Sequence, residues 1–179
     1  MVQALSYLHS LGIAHRDVRS DNLLLNREGV LKIGTVFSFS LNGGSRSSPL
    51  NLADFSNAIT TTPNSTTCTG PVGVIYWQAP EVRVYAYSLL RSSVRILTSF
   101  FSGAYNPMKA DVWSLGATIW EMAESTPPFH DAISAADLRD RWPPLTRAGE
   151  FSRSIHDFLT LCSNPVASRP ESSALLQVG

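Results

Sequence analysis

An aspartate and an asparagine five positions apart, with an arginine before and after the aspartate, mark the stretch of this chain best equipped for chemistry: His15-Arg16-Asp17-Val18-Arg19-Ser20-Asp21-Asn22. A carboxylate can accept or orient the proton of a hydroxyl. Carboxylate and carboxamide oxygens are the donors that hard divalent cations take. Further segments follow in order: Leu52-Ala53-Asp54-Phe55-Ser56, Gly73-Val74-Ile75-Tyr76-Trp77-Gln78-Ala79-Pro80-Glu81, Asp111-Val112-Trp113-Ser114-Leu115-Gly116 and Ser168-Arg169-Pro170.

The apolar pattern outlines the elements that must hold these groups. Val2, Leu5, Leu8 and Leu11 fall at i, i+3 spacing, one face of a helix that Gly12 stops. Leu23-Leu24-Leu25 and Val30-Leu31-Lys32-Ile33, joined by Asn26-Arg27-Glu28-Gly29, read as a short hairpin. Residues 111–124 are apolar on so much of their surface that a helix there must be buried. Pro127-Pro128-Phe129 ends it, and Pro143-Pro144 marks a loop. Ile155, Phe158, Leu159 and Cys162 form a second helical stripe, stopped by Asn164-Pro165. Residues 171–178 read as the opening of a final helix. The chain shows no internal repeat and no domain boundary.

At 179 residues the chain is long enough for one domain with a real core. It is 44% hydrophobic and 16% charged, within the range of an ordinary globular protein. A net charge of zero gives no electrostatic reason to bind nucleic acid or an acidic membrane. No apolar run approaches the roughly 20 residues that span a bilayer. The N-terminus lacks the basic and apolar regions of a signal peptide. Cys68 and Cys162 have neither metal-ligand spacing nor a disulfide framework, so a reducing, cytoplasmic setting is expected.

Taken together, the segments resemble the protein kinase family. Residues 15–22 are similar to its catalytic loop, H-R-D followed by an Asn at fixed spacing. Residues 52–56 resemble its D-F-G segment, residues 73–81 the end of its activation segment, residues 111–116 the start of its central helix, and Ser168-Arg169-Pro170 its late Arg-Pro turn. Val18-Arg19-Ser20-Asp21-Asn22 is closest in flavour to the p21-activated, sterile-twenty-like serine/threonine group. The resemblance implies an α+β, mainly α-helical fold, a kinase-like C-lobe lacking the N-lobe. It implies ATP and Mg2+ as cofactors, a protein substrate, and a small GTPase or scaffold acting upstream on the full-length protein.

By the same resemblance, Asp17 accepts or orients the proton of the substrate hydroxyl. Arg19 stands where the family has a lysine near the transferred phosphate, with a larger, planar head group. Asn22 and Asp54 are the magnesium ligands and so the contacts to ATP. Arg16 pairs with a phosphorylated residue of the activation segment, for which Thr66, Thr67 and Thr69 are candidates. Glu81 and Arg169 form a buried ion pair, and Asp111 accepts hydrogen bonds from the backbone near His15 and Arg16. His9, His130 and His156 share no spacing and read as ordinary core or surface histidines.

The chain also departs from the pattern. Ser56 replaces a glycine, and Val74 replaces a threonine whose hydroxyl contacts the catalytic loop; valine has no such donor. Two stretches, about 33–51 and 84–102, interrupt joins that the family makes directly. Both lack acidic residues. Two readings stand, retained intron sequence or lineage-specific loops, since loop closure grows costlier only logarithmically with length. No glycine-rich loop, strand lysine or partner glutamate is found in the sequence. The expectation is a partial kinase domain over 1–179, truncated at both ends. Its function is then either ATP-dependent serine/threonine phosphorylation, inactive in the isolated piece, or a catalytically silent interaction module.

Overall fold

A computed structural model of the chain describes residues 1–25, 27, 31–33, 55–83, 103–132, 137–138 and 140–177. Asp54, nearly all of the 33–51 stretch and all of 84–102 lie outside the described residues.

The first apolar stripe forms helix α1, Val2–Ser10, with Leu5 fully buried. Gly12 ends it at a φ of 76°, where a side chain is strained. A Cβ there would also meet the Thr61 carbonyl oxygen at 2.8 Å. Leu11 falls outside the helix and is exposed, so the stripe is one residue shorter than its spacing suggested. Strand β1, Ile13–Ala14, pairs antiparallel with β4, Ile59–Thr60. Between them, β2 (Leu23–Leu25) pairs antiparallel with β3 (Leu31–Ile33), with Leu24 opposite Lys32.

Helix α2, Pro107–Glu124, is the element on which the rest is assembled. It starts four residues before the apolar run because Asn106 caps it. The Asn106 Oδ1 accepts from the N–H groups of Met108 and Lys109 at 3.0 and 3.1 Å, and Pro107 occupies the first turn. Replacing Asn106 with alanine is expected to cost about 1 kcal/mol. The measurement is the urea midpoint, which should fall without a change in slope.

Helix α3, Arg153–Cys162, lays Phe158, Leu159 and Cys162 against α2. Gly116 permits this close approach. A Cβ at that position would run into the Trp142 indole and lie 2.5 Å from the Cys162 Cβ. Burial pushes the Cys162 thiol up to about 12, so it is a packing group rather than a nucleophile. The terminal segment closes the core with Leu175, from a 3-10 turn over Ala174–Gln177. Within the described residues that turn is what the expected final helix amounts to. No helix among the described residues is long and apolar enough to cross a membrane.

Candidate active site

The 15–22 loop runs between β1 and β2 and is fixed from beneath by α2. Asp111, buried near the start of α2, accepts the His15 N–H on Oδ2 and the Arg16 N–H on Oδ1, both at 2.7 Å. The ring of His9, from α1, lies against the same carboxylate, with Nε2 3.1 Å from Oδ2. These bonds hold Arg16 at a φ of 66°, a left-handed conformation uncommon outside glycine.

Held in this way, the loop brings Asp17 and Asn22 into contact. The buried Asn22 amide donates to the Asp17 carbonyl at 2.7 Å and to its carboxylate at 3.1 Å. The Asp17 N–H reaches His15 Nδ1 at 3.3 Å. Phe55 stands edge-on to the His15 ring, with centroids 5.4 Å apart. The Phe of the 52–56 segment therefore sits at the loop, while Asp54 itself is outside the described residues.

Arg19 pairs with the Asp21 carboxylate and lies over the Trp77 ring, 5.4 Å from its centroid. Trp77 in turn donates its indole N–H to Glu121 Oε2 at 3.0 Å, and Ser20 donates to Oε1 at 2.8 Å. Ser114 bonds the Trp77 carbonyl at 2.8 Å. Thus α2 ties the 15–22 loop to the 73–81 segment through one carboxylate. The motif reading missed Glu121, Ser20 and Trp77 as a unit. The available signal was a carboxylate set among the apolar residues of 111–124.

The two segments touch at Gly73, whose φ is 83°. A Cβ there would lie 3.0 Å from the Arg16 carbonyl oxygen and 3.2 Å from Asp17 Oδ1. Gln78 braces the turn, donating to the carbonyls of Val72 and Gly73 at 2.9 Å each. Val74 follows and is exposed. Beneath them a cavity of about 20 Å³, lined by Arg16, Asp17, Val74, Tyr105 and Ser114, has room for about one water.

Tyr105 shares this cavity with Arg16, and its phenol ionises well above its usual range, chiefly through burial. Tyr105 exchanges both backbone hydrogen bonds with Cys68 at 2.9 Å, and its hydroxyl donates to the Gly70 carbonyl at 3.1 Å. Thr67 and Thr69 flank Cys68, and they and Thr66 are exposed. At the far end of the segment Arg169, almost wholly buried, bonds both oxygens of Glu81, at 2.6 and 3.2 Å. Arg169 also donates to the carbonyls of Lys109 and Asn164, at 2.8 and 3.1 Å.

The protein kinase domain family matches residues 1–177. Serine/threonine-protein kinase pakC of Dictyostelium discoideum is 32% identical over 98% of this chain and 30% of its own length. Serine/threonine-protein kinase Tao of Drosophila melanogaster is 33% identical over 98% of this chain and 14% of its own length. For serine/threonine-protein kinase TAO2 of Homo sapiens the figures are 31%, 98% and 12%. The chain belongs to the protein kinase domain family, and its mainly helical fold with small two-stranded sheets is of the kinase C-lobe kind. It spans less than a third of the length of these relatives.

The family uses ATP with magnesium. Of the two ligands expected for that ion, Asn22 carries a hard carboxamide oxygen and Asp54 lies outside the described residues; magnesium takes few protein ligands beside phosphate oxygens and water. Among the described residues no cluster of three or more His, Cys, Asp or Glu could hold a metal by itself.

Proposed function

We propose that this chain carries the hydroxyl-activating half of an ATP-dependent protein serine/threonine kinase, and that the 179 residues alone do not turn over. The observation that carries the reading is the Asp17–Asn22 contact on a loop fixed by Asp111. In this assignment Asp17 orients the hydroxyl of a protein substrate and takes its proton. Asn22 and Asp54 hold magnesium on the nucleotide, which supplies charge compensation for the phosphates. Arg16 is the docking point for a phosphate on Thr67 or Thr69. Residues 1–179 act as a partial kinase domain, with 33–51 and 84–102 as insertions, working in the cytoplasm. In the full-length protein a small GTPase or scaffold acts upstream.

A second reading, a catalytically silent module that binds partner proteins, draws on two observations. Arg19 is already engaged by Asp21 and Trp77, and Val74 offers no hydroxyl to the loop. Purified chain with magnesium-ATP is expected to show no thermal stabilisation and no transfer to a serine/threonine peptide. A chimera with a kinase N-lobe placed ahead of Met1 is expected to transfer phosphate. In that chimera Asp17→Asn should lower turnover by about 10²–10⁴-fold. A folded chimera that binds ATP but transfers nothing would favour the silent reading.

A further inference from the structure

We propose that Ser172 is a positioning residue for the 15–22 loop, acting through His9 and Asp111. It rests on the proposed function only for what the loop does; the geometry and its principal readouts are independent of turnover.

Three buried side chains from distant parts of the chain stand in line. Ser172 Oγ lies 2.8 Å from His9 Nδ1, and His9 Nε2 lies 3.1 Å from Asp111 Oδ2. That same oxygen receives the His15 N–H. Ser172 is 2% exposed and Asp111 1%, so water is poorly placed to substitute for either partner.

The donor order follows from valence. A carboxylate only accepts, so His9 Nε2 must donate to Asp111. A ring with one proton then leaves Nδ1 as an acceptor, and the Ser172 hydroxyl supplies the hydrogen. Ser172 thereby selects the His9 tautomer that can bond Asp111, as an outer partner orients a metal-bound or catalytic imidazole. With its Oδ2 committed to His9 and His15 and its Oδ1 to Arg16, the Asp111 carboxylate has one orientation available. That orientation holds Arg16 in its left-handed conformation.

The residues just before Ser172 are tied to α2. Arg169 donates to the Lys109 carbonyl at 2.8 Å, and the Lys109 ammonium pairs with Glu171 at 2.9 Å. The four residues 169–172 therefore grip the end of the 73–81 segment through Arg169 and, through Ser172, steady the 15–22 loop.

The test uses the full chain, isotopically labelled. Nitrogen chemical shifts of His9 should show the Nε2–H form; an Nδ1–H form overturns the proposal without any mutation. Ser172→Ala should speed hydrogen exchange at the His15 and Arg16 amides by about tenfold, while the Leu115 amide in α2 stays unchanged. Ser172→Thr, which keeps the hydroxyl, should restore slow exchange. Unchanged exchange in a folded Ser172→Ala chain overturns the proposal, as does equal acceleration at Leu115, the mark of general destabilisation. If these readouts hold while a folded, ATP-binding N-lobe chimera shows no transfer, the kinase reading fails and the positioning role stands.

Discussion

Asp111→Ala is expected to detach the 15–22 loop from α2 and to cost the fold roughly 3 kcal/mol or more. The carboxylate receives two backbone N–H groups and an imidazole, all from residues that water reaches poorly. Each orphaned donor costs about 1–3 kcal/mol, because the group stays buried after its partner is gone. Relief of the left-handed Arg16 backbone returns a part of this. Asp111→Asn should be intermediate, since one amide oxygen replaces two carboxylate oxygens. Chemical denaturation measures the difference. A loss no larger than that of a surface control, Asp157→Ala, would show that the loop keeps its shape without this anchor.

Glu81→Gln is expected to cost about 3–5 kcal/mol by leaving the Arg169 guanidinium buried without a counter-charge. Arg169 has little alternative: its Nη1 and Nε are also committed to main-chain carbonyls, and Trp113 lies beneath its head group. Arg169→Lys should cost a similar amount, because an ammonium cannot meet both Glu81 oxygens in a planar fork. Replacing both partners together, Glu81→Leu with Arg169→Met, should recover much of the loss, as buried pairs exchanged for apolar groups often do. If the double variant instead loses the sum of the single losses, the pair is not coupled, and the single-variant effects come from packing. Protease sensitivity of the 55–83 stretch should follow the same ranking, since Glu81 closes that segment onto α2.

What the sequence disclosed was set by spacing. Asp17 and Asn22 lie five positions apart on one loop, so residue types alone brought them together. The helices were legible because burial of one face imposes a period, though Asn106 moved the start of α2 ahead of the apolar run. Glu121 was hidden because its partners, Ser20 and Trp77, come from two other segments. His9 was read as an ordinary core or surface residue for a related reason. Its two bonds reach 102 and 163 positions along the chain, and no local pattern records such contacts. Arg19 shows the opposite limit. Its position in the motif suggests a phosphate contact, whereas in the fold it pairs with Asp21 and lies over Trp77, a ring from another segment.

The missing side chain at position 73 sets a clearance. Between that backbone and the Asp17 carboxylate there is space for a hydrogen but little for a methyl group. Anything laid along this edge would meet main chain rather than a side chain able to rotate aside. Under the proposed function that edge would gauge the approach to Asp17, so acceptor chains would be sorted by the shape of their backbone near the hydroxyl before any of their side chains is read.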